Sequence, residues 1–376
     1  MAYIPQEKLA FSCHLADHCN LRCKGCDNYS PAAPARFTNH EVFRRDLVRI
    51  REIFGNRVSS IQLLGGEPLL NPEIDRFLIT ARQIFTEADQ TEISIVTNGV
   101  LLNAMPDHFW QTCREQAVVV RYTWYPIPVD YEAAVKKGSR FSVPVERYGR
   151  PGEEGKTLQF DPFDLTGSQD GEWNFRNCFH ANKCIQVREG RIYTCNIRAF
   201  ADIFCSAFGI GMELSPQDSL DLRQDLTSEQ VMEFLSRPIP FCRYCNIRRR
   251  DDGHIWRTCV EAAEIHDWML FRFDHWGLKA LNRYDRVFFL PEAGEEAEFA
   301  EQWKTVLDTG LEDHVQQKVL PLPVEPAALH EALRQAGAGE ADALVIMCQV
   351  QERRLCLEKA AVEAGYKHCY LFAQED

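Results

Sequence analysis

The sequence predicts an α/β chain built on a parallel sheet with helical crossovers, and three observations carry that prediction. Apolar runs of strand length alternate with segments of helical period from the N-terminus to about residue 155. Polar and glycine-rich motifs fall at the C-terminal ends of the strands, where parallel α/β proteins bind ligands. A second alternation of strand and helix returns after residue 283.

The elements follow in order. Leu9 to Cys13 reads as the first strand, and Phe43, Leu47, Ile50 and Phe54 repeat at helical spacing behind it. Residues 58 to 64 (Val-Ser-Ser-Ile-Gln-Leu-Leu) form an apolar, β-branched run that stops at Gly65-Gly66-Glu67-Pro68. A helix opens at Pro72, which suits a first turn, and runs to residue 86 with Ile74, Phe77, Leu78, Ala81 and Phe85 inward. Residues 92 to 96 (Glu-Ile-Ser-Ile-Val) form the third strand, which enters Thr97-Asn98-Gly99. A helix over about 106 to 116, a strand over 117 to 124, a helix over 131 to 137 and a strand over 141 to 147 continue the pattern.

Between Gly152 and Asn177 the chain turns rich in Gly, Asp and Glu and reads as loop. Ile185 to Arg188, a tight turn at Glu189-Gly190 and Ile192 to Thr194 then make a hairpin. A capped helix starts near Thr227 and ends before Pro238 and Pro240. In the last third, Arg286 to Leu290, 293 to 307, 326 to 336, 343 to 348, 350 to 364 and 368 to 372 alternate strand and helix. No Gly-x-Gly-x-x-Gly follows a strand there, so a structural or docking role is expected of this small α/β unit.

Composition excludes several classes. A formal charge of −13, with no sustained basic patch beyond Arg248-Arg249-Arg250, argues against nucleic acid as a partner. No apolar run is long enough to span a membrane, and the chain does not open on a basic region followed by an apolar one. With 15 cysteines in 376 residues, the expectation is a cytoplasmic, reducing setting in which thiols do metal chemistry and not disulfide bonding.

The run Cys19-Asn20-Leu21-Arg22-Cys23-Lys24-Gly25-Cys26 supplies three thiolates on one loop. A four-iron cluster normally takes four. Held by three, it keeps one iron open to a small molecule. Taken alone, the same loop also reads as a zinc site with His18 as fourth ligand. Gly65 and Gly66 let the backbone approach a ligand closely, and Glu67 can pair with a cationic amine.

The Cys-x3-Cys-x2-Cys loop after the first strand, Gly-Gly-Glu-Pro after the second and Thr-Asn-Gly after the third resemble, in that order, the radical S-adenosylmethionine (SAM) enzymes. The resemblance implies a partial (β/α)6 barrel over residues 1–155, with Cys19, Cys23 and Cys26 holding a [4Fe–4S] cluster whose fourth iron is chelated by SAM. It implies that Gly65, Gly66, Glu67 and Pro68 support the methionine amine, and that Asn98, beside Thr97, lies near the ribose or carboxylate. It also implies an external electron donor such as flavodoxin or ferredoxin. Gly25 departs from the family, which more often has an aromatic residue there beside the adenine.

Cys178, Gly190, Cys195 and the later Cys242-Arg243-Tyr244-Cys245 are similar to the twitch form of the SPASM auxiliary-cluster domain. This implies a second, auxiliary [4Fe–4S] cluster on Cys178, Cys195, Cys242 and Cys245, within a region spanning 156–260 and followed by an accessory domain over 261–376. Cys184 stands as an alternative to Cys178, and a zinc ribbon on the same ligands stands beside the cluster. A fully ligated cluster carries electrons and binds no substrate. The function expected is hydrogen-atom abstraction from a small polar metabolite, such as a sugar or aminocyclitol-like alcohol. A peptide or protein maturase and a non-enzymatic metal scaffold are the alternatives. Trp124, Tyr125, Glu146, Arg147 and His180 are the side chains expected near the barrel mouth or between ligands, with no catalytic base assigned among them.

Overall fold

Apolar residues three and four apart make one face of α1 (His40–Phe54) sticky, and Phe43, Leu47, Ile50 and Phe54 are all buried on it. Asn39 starts that helix by accepting the Glu41 and Val42 N–H groups on its side-chain oxygen. The same logic forms α2 (Ile74–Ile84), α3 (Asp107–Glu115) and α4 (Tyr131–Arg140). Between them run β1 (Leu9–His14), β2 (Val58–Leu64), β3 (Glu92–Thr97), β4 (Val118–Thr123) and β5 (Val145–Tyr148). The computed structural model describes residues 8–148, 157–160, 162–183, 185–259 and 262–372. They divide into one unit over the chain to residue 156 plus 164–248, and a second over 157–163 and from 249 onward.

In the first unit β5, β4, β3, β2 and β1 lie side by side, and β1 pairs next with the strand Ile185–Arg188. These six strands are parallel, consistent with a (β/α) barrel-like fold; five of them lie before residue 155, and the sixth, from a later segment, sits on the β1 edge and not beside β5. Arg191–Tyr193 and Ser219–Asp221 then extend the sheet antiparallel. The hairpin turn is Glu189-Gly190, both at positive φ (50° and 81°), which matches the twist of its strands.

Strand register sorts the side chains into two faces. Phe11 pairs with Ile61 and Ile61 with Ile93, and the Phe11 ring meets Phe54 of α1 with centroids 5.4 Å apart. This is the helix-facing layer. The residues between them take the other face: Ser12 pairs with Gln62 and with Gln186, and Gln62 pairs with Ser94. Arg121 joins that face by donating to both oxygens of Glu92 (2.5 and 2.8 Å) and to Glu146 (3.3 Å). One face of the sheet is therefore apolar and the other mixes amides, hydroxyls and charges with Ala10, Leu64, Val96 and Val119.

The second unit is a four-stranded parallel sheet in the order Gln316–Val319, Arg286–Pro291, Ala343–Met347, His368–Leu371. Val287, Phe289 and Val345 pack into one apolar cluster and Phe288, Leu290, Leu344 and Ile346 into another, so the two central strands are covered on both faces. Thr157–Phe160 pairs antiparallel with Asp251–Ile255 in the same unit.

Several boundaries differ from the sequence reading. β5 begins at Val145 and not at 141, because Ser142 sits at φ +59° and Pro144 follows, which keeps 141–144 in a turn. α2 starts at Ile74, two residues beyond Pro72. Part of the segment read as loop is the helix Gly171–Asn177, started by Asp170 accepting the Trp173 N–H. Cys184 lies outside the described residues. Among those described, no helix is long and apolar enough to cross a membrane.

Phe77, fully buried on α2, stacks edge-on with Phe43 at 4.9 Å. Phe77→Ala is expected to cost about 3–5 kcal/mol, read as a lower urea midpoint. Ile79→Ala, on the exposed side of the same helix, should stay within about 0.5 kcal/mol.

Candidate active site

Two glycines place the end of β2 against the chain that leaves β1. Gly65 is at φ +154°, and a Cβ on it would lie 2.4 Å from the Ala16 carbonyl oxygen. On Gly66 a Cβ would lie 2.1 Å from the His18 carbonyl oxygen. With no Cβ present, the Gly66 N–H donates to Ala16 O (2.8 Å) and the Glu67 N–H to His18 O (3.0 Å). The close approach that these glycines allow is thus to the segment Ala16–His18, immediately before the cysteine loop. From the far side of the loop Asn28 Nδ2 donates to Gly65 O (3.2 Å).

Glu67 is fully buried, and its carboxylate accepts from the Thr97 hydroxyl (2.7 Å), the Asn98 N–H (2.9 Å) and the Leu69 N–H (3.0 Å). Burial pushes its pKa up to about 7 in spite of those donors. The carboxylate expected to meet an amine therefore first ties the end of β2 to the end of β3. Pro68 opens the short turn Pro68–Leu70 behind it.

At the end of β3, Asn98 points its amide at the cysteine loop, with Nδ2 2.6 Å from Asn20 Oδ1 and 3.6 Å from Cys19 Sγ. Gly99 takes φ +81°, where a Cβ would strike the Tyr131 ring at 2.7 Å. Tyr131 stacks on Tyr122, and its hydroxyl donates to Asn98 O (3.2 Å) and accepts from the Tyr125 N–H (3.1 Å).

The three thiols of the loop feel one another. Burial raises Cys26 to about 11 with Cys23 as the next cause, and burial also raises Cys19, opposed by the Leu21 N–H that donates to its sulfur at 3.3 Å. Tyr125, at the end of β4, has its phenol raised by burial and then by Cys23, Cys26 and Cys19, and it hydrogen-bonds Cys23. The donor set is soft, clustered and supported, which fits an iron–sulfur cluster. Among the described residues no three His, Cys, Asp or Glu side chains converge as on a single ion. A cubane makes no such demand, since each thiolate takes its own iron.

The residues after Cys26 reach the second cysteine group. Asp27 faces His180 Nε2 at 3.7 Å, Asn28 Oδ1 accepts from Asn196 Nδ2 (3.4 Å), and the Tyr29 hydroxyl donates to Ile197 O (3.3 Å). Burial raises the Tyr29 phenol, with Cys245, Asp27, Cys195 and Cys205 adding to it. Burial pushes Cys242 up to about 12, and Cys178 adds to that. Asn174 Nδ2 donates to Cys242 O (2.8 Å) and to Cys245 O, so the helix Gly171–Asn177 holds the Cys242–Cys245 turn. Cys178 is thus near enough to Cys242, and Cys195, Cys205 and Cys245 near enough to Tyr29, to act on them electrostatically.

Sequence reading missed Asn20, Asn28 and Tyr29. The one local signal was their position beside the cysteines; their partners lie on segments far away in sequence. Arg147 stands over the Trp124 ring at 5.4 Å, while Glu146 meets Arg121.

Residues 14–130 match the profile of the Radical SAM superfamily. The GTP 3',8-cyclase of Moorella thermoacetica is 34% identical over 98 residues, 24% of this chain and 27% of that one. The GTP 3',8-cyclase 1 of Mycobacterium tuberculosis is 30% identical over 96 residues, 23% and 24% of the two chains. The chain thus spans about a quarter of the length of these curated relatives. Among solved structures, BtrN in complex with AdoMet and 2-DOIA aligns at 14% identity and TM-score 0.40 over 71% of this chain and 100% of that one. Native anSMEcpe with bound AdoMet aligns at 13% identity and TM-score 0.39 over 69% and 94%.

Two outcomes follow from this geometry. Gly66→Ala drives a Cβ into the His18 carbonyl and should lose most of the iron bound at the cysteine loop, measured as iron and sulfide per chain after anaerobic reconstitution. The Glu67 carboxyl stands at about 7 when folded against an ordinary 4.5, so the folded chain holds this proton more tightly. Its contribution to stability is full below the unfolded value and is lost as pH rises through the folded one. Melting curves of the iron-free chain should show that loss between about pH 4.5 and 7 in the wild type and not in Glu67→Gln.

Proposed function

We propose, from the match of residues 14–130 to the Radical SAM superfamily, that this chain is a radical SAM oxidoreductase acting on a small polar metabolite, with a second cluster carrying electrons. The superfamily uses SAM and a SAM-binding [4Fe–4S] cluster. The observation that carries the reading is the gathering of three thiols at the end of β1, braced by the ends of β2, β3 and β4 through Gly66, Asn98 and Tyr125.

Cys19, Cys23 and Cys26 would hold the first cluster. Bound there, such a cluster would supply the electron for cleavage of the C5′–S bond of SAM and so the radical chemistry that takes a hydrogen atom from unactivated carbon. The protein's own work is orientation and exclusion of water. Gly65 and Pro68 carry carbonyls at the strand end, where a methionine amine can donate; Glu67 fixes their position. Cys178, Cys195, Cys242 and Cys245 would hold the second cluster, and Asp27 to Tyr29, which follow Cys26 in the chain, reach toward that group by an ion pair and two hydrogen bonds.

A polar substrate is supported by the inner face of the sheet. Ser12, Gln62, Ser94 and Gln186 lie on it in adjacent registers, and Arg121 stands between Glu92 and Glu146. Such a lining suits a hydroxyl- or amine-bearing molecule better than an apolar one. The identity to the GTP 3',8-cyclases covers about a quarter of each chain, which supports the shared radical chemistry and not their nucleotide.

The test uses reconstituted, dithionite-reduced enzyme with unlabelled SAM and fractions from cells grown in deuterated medium. Deuterated 5′-deoxyadenosine with the metabolite fraction supports the proposal; with the peptide fraction alone, a maturase replaces it. Absence of 5′-deoxyadenosine overturns the radical reading. Cys19→Ala should abolish SAM cleavage, whereas Cys242→Ala should keep slow uncoupled cleavage and lose product; equal loss of cleavage in both would remove the separate roles.

A further inference from the structure

We infer that Asn98 is a positioning residue for the first cluster, whose side-chain amide hydrogen-bonds the Cys19 sulfur and so raises the reduction potential at which that cluster takes up its electron. The inference rests on the assignment of Cys19 as a cluster ligand.

The geometry accounts for every polar atom of Asn98, which is only 6% exposed. Its amide nitrogen carries two hydrogens and has two acceptors: Asn20 Oδ1 at 2.6 Å and Cys19 Sγ at 3.6 Å. Its side-chain oxygen accepts the Val100 N–H at 2.9 Å, its backbone N–H goes to Glu67 and its carbonyl accepts from Tyr131. With oxygen and nitrogen both committed, the side chain cannot rotate away without breaking three bonds. Val100 fixes the amide so that the nitrogen, and not the oxygen, faces the sulfur.

Cys19 Sγ therefore accepts two N–H groups, one from the Leu21 backbone at 3.3 Å and one from a side chain 79 positions along the chain. A donor on a ligating thiolate draws electron density off the sulfur. This stabilises the more negative, reduced cluster relative to the oxidised one, and hydrogen bonds to the sulfurs are among the determinants of iron–sulfur potentials. Asn98 thereby reads differently from a SAM ligand: its contact is to the iron ligand beneath.

The measurement is an anaerobic, EPR-monitored redox titration of the reconstituted full chain without SAM, on wild type, Asn98→Ala and Thr97→Val. Thr97→Val cuts a bond of the same strand end to Glu67 and leaves the amide on the sulfur. The expected result is an Asn98→Ala cluster whose reduced-to-oxidised ratio at fixed poise is about fivefold lower, ~40 mV for a one-electron couple, with Thr97→Val unmoved. An unmoved potential in Asn98→Ala, or an equal fall in both variants, overturns the inference. If Asn98→Ala assembles no cluster, wild type labelled with 15N in the asparagine side chain decides the question. A nitrogen coupling to the reduced cluster in pulsed EPR that persists when Asn20, the neighbouring labelled amide, is replaced (Asn20→Asp) supports the contact, and its absence refutes it. Failure of the wild type itself to assemble a cluster would instead remove the assignment of Cys19, Cys23 and Cys26.

Discussion

The Glu67 carboxylate is the constraint on which the site depends. It is fully buried, and a carboxylate taken out of water costs several kcal/mol unless donors replace the lost hydration. Three donors do so, two from the end of β3 and one from its own turn. Their geometry fixes the spacing of two strand ends. Everything above inherits that spacing: the Asn98 backbone N–H is held by Glu67, with its side chain turned toward Cys19, while Gly66 on the other side locks Ala16 and hence the start of the cysteine loop. That the carboxyl still sits near 7 means burial outweighs the donors, so at neutral pH the clamp carries about half the charge of an ordinary carboxylate.

The second cysteine group depends on a different device. Asn174 on the helix Gly171–Asn177 holds the carbonyls of both Cys242 and Cys245, so a single amide fixes the turn that bears two of the four proposed ligands. Tyr29 fixes the other side. It is 1% exposed and adopts φ +53°, a conformation that costs a non-glycine residue energy and persists only when the surroundings over-determine it. Here the surroundings are the backbone bond from its N–H to Cys26 O at 2.8 Å and the hydroxyl bond to Ile197 O. The strained residue thus joins the two cysteine groups by a path of one side chain.

Periodicity made most of the fold legible. Phe43, Leu47, Ile50 and Phe54 mark α1 because burial of one helical face is itself a sequence pattern, and Val287 to Leu290 mark a strand because both its faces are covered. Gln316–Val319 escaped because it is an edge strand whose four residues are all exposed, so no burial pattern is written into it. The helix Gly171–Asn177 escaped because its start lies in a glycine- and aspartate-rich run that equally suits a loop. At the site, the cysteines and the strand-end motifs were legible as chemistry. Their partners were not: Asn98 meets Cys19 across 79 positions, and Tyr29 meets Ile197 across 168. Glu67 shows the limit most plainly. Its residue type suggested an amine, and only the tertiary structure reveals that its donors are already supplied.

The two faces of the barrel sheet explain how one scaffold serves stability and reactivity. Ile61, Ile93 and Phe11 carry the helix-side packing, so the opposite face is free of that duty and can hold Gln62, Ser94, Gln186 and Arg121. Arg121 is the informative member. A guanidinium left alone in such a place would be costly, and Glu92 takes two of its donors in a bidentate pair that neutralises it. Glu146 then meets only Nε, at 3.3 Å, and is half exposed, so the trio keeps one negative charge at the edge of the polar face. On the proposed function a radical needs its target carbon held still, and the polar groups of this face would hold a hydroxyl- or amine-bearing molecule more firmly than an apolar wall could. The same alternation of residues along the strands thus builds the core on one face and the polar positions on the other.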